Sequence, residues 1–133
     1  YLQHAEVARE DLICLDFEHN KGQEMSLGQA HDFINLVHSR IGRYPVLYGG
    51  AWLREQVGNR EDPIFAKCPL WYRRYAPSPK AIPTQIWPTF TLWQYSDGEA
   101  DYGGPPRTVN GLTCDRNLFE GSLDELRRRW PFT

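Results

Sequence analysis

The chain has 133 residues, enough for one domain with a core. Hydrophobic residues at 41% and charged residues at 24% are the balance of a globular protein, and no apolar run is long enough to cross a membrane. Fifteen Lys plus Arg against 17 Asp plus Glu leave a net charge of -2, which gives no electrostatic case for nucleic acid and no polybasic segment for membrane docking.

Tyr1-Leu2-Gln3-His4-Ala5 reads as the inside of a helix, and no signal peptide is visible. The chain is therefore expected to begin part-way through a larger protein. Residues 11 to 18, Asp-Leu-Ile-Cys-Leu-Asp-Phe-Glu, open with a nearly continuous apolar run. That run predicts a strand buried on both faces, as in parallel α/β sheets. Ser26-Leu27-Gly28-Gln29 is a capping box, with Ala30, Phe33, Ile34, Val37 and Ile41 behind it at helical spacing. Gly42 is a plausible stop.

Residues 44 to 48 (Tyr-Pro-Val-Leu-Tyr) read as a second strand, ended by Gly49-Gly50. Trp52 to Val57 reads as a short helix stopped by Gly58. Residues 70 to 76 and 90 to 96 read as third and fourth strands by aromatic and β-branched content, separated by a proline-rich loop over 77 to 88. A loop with Asp97-Gly98 and Gly103-Gly104-Pro105-Pro106 follows, then a short last strand at 112 to 115. Ser122-Leu123-Asp124-Glu125 is a second capping box, opening a final helix that ends near Trp130-Pro131. The first half suggests βαβ units in a parallel sheet. The later strands lack room for crossover helices, so a regular eight-fold barrel does not fit.

The feature with chemical content is Asp16-Phe17-Glu18. Side chains alternate along a strand, so Asp16 and Glu18 share a face, about 6.6 Å apart between Cα atoms. Two acids at the end of an apolar strand are costly to bury without partners. Side by side they repel, so that one proton can be retained, and a protonated carboxyl beside an ionised one is the arrangement glycosidases use. The same triplet also fits two carboxylates that simply leave the strand and meet solvent.

The rest of the chain separates these readings. Leu15-Asp16-Phe17-Glu18, residues 44 to 48, Pro69-Leu70-Trp71-Tyr72 with Tyr75-Ala76, Leu92-Trp93-Gln94-Tyr95-Ser96, and Asp115-Arg116-Asn117-Leu118-Phe119 occur in that order. Over residues 11 to 119 the series resembles the C-terminal portion of family 25 (Chalaropsis-type) lysozymes. The resemblance implies an α/β fold, an irregular TIM-like (β/α) barrel with later antiparallel strands. It implies hydrolysis of the β-1,4 bond between N-acetylmuramic acid and N-acetylglucosamine, with peptidoglycan glycan strands as the partner and no metal or organic cofactor. Glu18 matches the general acid. Asp16 matches an acid that orients the substrate acetamido group or supports developing positive charge. Asp115 matches a third acid of the groove. Tyr48, Trp71, Tyr75 and Trp93 match aromatics that line it, with Gln94 nearby.

The family's first strands, with D-V-S, K-A-T-E-G-like and Y-H-F-like sequences, have no counterpart in the chain. Residues 1–133 are therefore expected to form a single, partial catalytic domain. Such a piece docks with a missing N-terminal segment, forms a homodimer, or is a fragment, since a β/α barrel takes about 200 residues or more. A non-catalytic wall-binding remnant is the alternative to a glycosidase. The setting implied is a secreted enzyme or a phage lysin acting on the cell wall.

The remaining residues carry simpler readings. Trp52 and Trp130 fit core packing, and Trp87 fits either core or groove. His19 fits a loop histidine. Arg73-Arg74 and Arg127-Arg128-Arg129 fit solvated charges, the latter at a helix C-terminus. Cys14, Cys68 and Cys114 are too widely spaced for a zinc site and fit buried free thiols.

Overall fold

The computed structural model describes residues 6–99 and 108–132. The expected helix at 1–5 and the Gly103–Pro106 loop lie outside them.

A five-stranded mixed sheet organises the chain. Its strands are β1 (Cys14–Asp16), β2 (Val46–Gly49), β3 (Leu70–Arg73), β4 (Leu92–Ser96) and, later in the chain, β7 (Arg116–Phe119), in the spatial order β1-β2-β3-β4-β7. The first three pairings are parallel and β4–β7 is antiparallel. This is the parallel-then-antiparallel α/β architecture that the resemblance implies. Helices α1 (Leu27–Ile41) and α2 (Ala51–Val57) make the first two crossovers. Strands β5 (Thr108–Val109) and β6 (Leu112–Thr113) form a separate hairpin, and helix α3 (Leu123–Arg129) follows β7.

Local chemistry explains the helix ends. Ser26 and Gln29 exchange the two bonds of a capping box, at 3.2 and 2.9 Å. Gly42 closes α1 in the left-handed region at φ 74°, where a side chain would be strained. Ser122 and Glu125 repeat the box on α3. Along α1, Ala30, Ile34 and Val37 are buried, one stripe against the sheet.

The crossover from β3 to β4 has no α-helix. The proline-rich segment does a helix's work instead, sending Ile86, Trp87 and Phe90 into the core. Trp87 is thus a core residue, and its Nε1 donates to the Cys68 carbonyl at 2.9 Å. That bond meets the one polar demand of a buried indole.

Four expectations change. Strand β1 is not buried on both faces: only Leu15 is buried, while Asp16 is exposed, because the helices cover one face and β1 stands at the sheet's edge. The last sheet strand is Arg116–Phe119 rather than 112 to 115, whose first two residues turn back in the hairpin. Trp130 lies just beyond α3, 47% exposed, with Nε1 donating to the Glu10 carbonyl at 2.9 Å, so it ties the chain's ends rather than packing a helix face. Of the three cysteines, all free, only Cys68 is buried.

Candidate active site

The site follows from strand register. Asp16 pairs with Tyr48, Tyr48 with Trp71, and Trp71 with Leu92. One step along, Arg73 pairs with Gln94 and Gln94 with Asn117. Partners in register point to the same face, as do residues two apart on a strand. Asp16, Tyr48, Trp71, Arg73, Gln94 and Asn117 therefore share the face opposite the helices. The Phe17 N–H still bonds the Tyr48 carbonyl at 2.8 Å, which carries the strand line past β1 toward Glu18. The group gathers at the C-terminal ends of the parallel strands, where barrel-like folds concentrate function.

Hydrogen bonds fix this face. The Tyr48 hydroxyl donates to Gln94 Oε1 at 2.7 Å, and the Tyr75 hydroxyl donates to the same oxygen at 3.3 Å. Gln94 is only 4% exposed. Two donors on its oxygen turn its amide NH2 the other way, as an oriented donor. Trp71 Nε1 donates to Asn117 Oδ1 at 2.7 Å, and the Trp71 ring meets Tyr48 edge-on with centroids 5.3 Å apart.

Glu18 is not simply solvated. Arg73 Nη1 donates to its Oε1 at 2.7 Å, with both side chains partly exposed. The Arg73 guanidinium also lies over the Tyr75 ring, 5.0 Å from its centroid. Contact with Tyr75 first, and attraction to Glu18 against the cost of burial, hold Arg73 firmly charged. Gly50 makes room for this: a Cβ there would stand 2.8 Å from the Arg73 carbonyl oxygen. The neighbouring charges shape Asp16 as well. Although Asp16 reaches solvent, partial burial of its carboxyl first, then the Glu18 carboxylate, push it above its ordinary value, with Arg73 opposing them. Burial, and then Glu18, likewise raise Tyr48, so its hydroxyl keeps its proton and stays a donor.

Six of the residues singled out in sequence thus meet on one face: Asp16, Glu18, Tyr48, Trp71, Tyr75 and Gln94. Two do not join them. Trp93 is buried among the helix-side core residues, next to Phe90 and Tyr95, with Nε1 donating to the Arg74 carbonyl at 2.8 Å. It pairs in register with Tyr72, so alternation sends it away from the face that Gln94 occupies. Asp115 is exposed, one residue before β7, and among the described residues no hydrogen bond or ion pair joins it to Asp16 or Glu18.

Arg73 and Asn117 are the residues that sequence reasoning missed. Alternation could have placed Arg73, two residues after Trp71, on this face; Asn117 carried no such signal, because Asp115 before it lies outside the strand. His19 sits in the loop after Glu18, paired with Glu24 at 3.1 Å and edge-on to the Trp52 ring. Among the described residues no group of three His, Cys, Asp or Glu side chains gathers as a metal site. A cleft of about 950 Å³ lies at the opposite end of the strands, between residues 7–10, 40–43 and 128–132. The acids stand on an open face rather than inside that cleft.

Known proteins place this arrangement. Residues 1–103 match the model of glycosyl hydrolases family 25. No curated protein matches the sequence. Among solved structures the chain is similar to a muramidase from Trichobolus zukalii, at 33% identity and a TM-score of 0.68 over 90% of this chain and 56% of that one. It is similar to a muramidase from Acremonium alcalophilum, at 31% identity and 0.66, over 86% and 53%. It is similar as well to a family GH25 lysozyme from Aspergillus fumigatus, at 32% identity and 0.64, over 86% and 54%. The chain thus spans little more than half the length of each. With the family's model matched over most of its residues and the family's fold in its sheet, the chain belongs to family 25 of the glycosyl hydrolases.

Proposed function

We propose that the protein is a peptidoglycan hydrolase that cleaves the β-1,4 bond between N-acetylmuramic acid and N-acetylglucosamine. Glu18 is its general acid, giving a proton to the glycosidic oxygen. Asp16 stands beside it and supports the developing positive charge or orients the acetamido group. Tyr48, Trp71 and Tyr75 offer ring faces and hydroxyls to the sugars, and Gln94 offers its oriented amide. Asp115 lies at the start of the strand that carries Asn117, and its part is to extend the acidic rim. Trp93 supports Gln94 from the core side of the same strand.

The observation that carries this reading is the register that brings Asp16, Tyr48 and Trp71 into one row at the C-terminal ends of parallel strands. Two acids of unlike surroundings in one site are the acid-base arrangement of glycosidases. Muramidase and lysozyme are also the activities named for the similar structures. The test is digestion of purified peptidoglycan with the products read by mass spectrometry, and with Glu18→Gln run alongside. Fragments with N-acetylmuramic acid at the reducing end, absent from the variant, are expected. Equal release by both proteins would remove Glu18 from the mechanism.

One observation favours a second reading, in which the chain holds the wall without cutting it. Arg73 already occupies Glu18 at 2.7 Å. Retention on insoluble cell wall with no released fragments would establish that reading instead.

A further inference from the structure

We infer that Arg73 is a receptor for a carboxylate on the substrate, and that binding this carboxylate draws Arg73 away from Glu18. The inference rests on the muramidase reading for its ligand class, an anionic glycan.

Arg73 brings a positive charge to the face that presents Asp16 and Glu18. A guanidinium is a planar fork of five donors that matches a carboxylate best through two parallel bonds. The bond to Glu18 joins Nη1 to Oε1. A one-point contact between two partly exposed side chains contributes little and exchanges readily. Meanwhile the close approach of Gly50 fixes the Arg73 backbone, and the Tyr75 ring lies beneath the guanidinium without using its in-plane N–H donors. The guanidinium can therefore exchange one in-plane partner for another while its backbone and the ring contact stay in place. Trp71 and Gln94 share the sheet face that carries Arg73, and Tyr75 bonds Gln94 there.

N-acetylmuramic acid differs from N-acetylglucosamine by a lactyl ether that ends in a carboxyl group. In bare glycan strands that group is a free carboxylate. In strands with stem peptides it is an amide, and the peptide supplies carboxylates of its own. A substrate carboxylate on Arg73 would relieve Glu18 of its cationic partner when its proton is needed. Among the described residues the groups interacting with Glu18 are Asp16 from β1, Arg73 from β3 and the Tyr48 hydroxyl from β2, with Tyr75 against Arg73. Arg73 is the member of this set that a ligand anion would engage.

The test uses the whole chain and measures binding by calorimetry. Four glycans are compared: bare strands, the same strands with carboxylates converted to neutral amides, strands with stem peptides, and neutral chitooligosaccharide. Bare strands are expected to bind about ten-fold tighter than their neutralised form, the scale of one charge-assisted contact. Arg73→Gln should erase the difference, and Arg73→Lys should keep part of it. Tight binding of peptide-bearing strands together with bare ones assigns the site to carboxylates of either source. Tight binding of bare strands alone assigns it to the lactyl group. Equal binding of charged and neutral strands, a preference that survives in Arg73→Gln, or binding of none would overturn the inference. A carboxylate preference lost in Arg73→Gln, with no cleavage of any strand, would leave the inference standing while the muramidase reading falls. Cleavage indifferent to the carboxylate would do the reverse.

Discussion

The two faces of the central sheet are built from the same strands and differ in nearly every physical respect. Toward the helices lie Leu15, Phe17, Leu47, Tyr72, Trp93 and Tyr95, buried and in mutual contact. Even the Tyr72 hydroxyl is used internally, donating to the Lys80 carbonyl at 2.7 Å and accepting from Arg54 at 3.0 Å. On the other face Tyr48 bonds Gln94, Trp71 bonds Asn117 and Arg73 bonds Glu18 across strands, with Asp16 in the same row. Adjacent residues therefore serve opposite ends. One face spends its side chains on stability and the other holds charges that a core would not tolerate.

The sharpest way to break this comparison is to replace neighbours. Glu18→Gln should lower the proposed cleavage by about 10²- to 10⁴-fold, the range of a lost general acid. It should leave the urea midpoint nearly unchanged, since a partly exposed ion pair contributes at most ~1 kcal/mol. Phe17→Ala, one residue away, should do the opposite. Phe17 is fully buried, edge-on to Phe65 with centroids 5.7 Å apart. Its truncation should cost ~3–5 kcal/mol of unfolding free energy, read by urea denaturation. An Ala variant with unchanged stability would mean that the two faces are not divided as described.

This division is legible in part in the sequence. Alternation in Asp16-Phe17-Glu18 puts the acids on one side, and the capping boxes at Ser26 and Ser122 mark the starts of α1 and α3. These signals are local, which is why they survive in sequence. Trp93 shows where the reading runs out. Periodicity says that Trp93 and Gln94 face opposite ways, but not which way, since an aromatic side chain suits core and groove alike. Arg73 fails for another reason. Its partner is 55 residues away, and only the β1-β2-β3 order, with Gly50 leaving space between, brings the two together. The strand at Arg116–Phe119 was hidden because its pattern of Arg, Asn and exposed Leu118 lacks the apolar run that marked the others.

Gly50 sharpens the comparison from the backbone. It stands where β2 hands over to α2, at φ -139° and ψ -117°. Space is what it supplies. An Ala Cβ would press on the Arg73 carbonyl oxygen at 2.8 Å, and such overpacking costs ~1–3 kcal/mol. Gly50→Ala should therefore lower the unfolding midpoint and also weaken carboxylate binding, because the displaced backbone carries Arg73. A variant equally stable and equally active would show that β2 and β3 separate freely at that point.

The smallest expected effect tests the electrostatics of the open face alone. Burial and the Glu18 charge raise the Asp16 carboxyl above its ordinary value of about 3.8. A carboxyl raised on folding binds its proton more tightly in the native chain than in the unfolded one. Its contribution to stability is therefore complete below the unfolded value and is lost as pH rises through the raised native value. Asp16→Asn has no such proton to lose. Urea midpoints of the two proteins, measured from pH 3 to pH 7, should diverge upward from about 3.8, with Asp16→Asn the more stable by neutral pH. Glu18→Gln removes the second cause of the shift, so in that background the divergence should shrink. Parallel curves in the wild-type background would mean that Asp16 meets water as freely as an isolated carboxylate, and that the open face holds two independent acids rather than a pair.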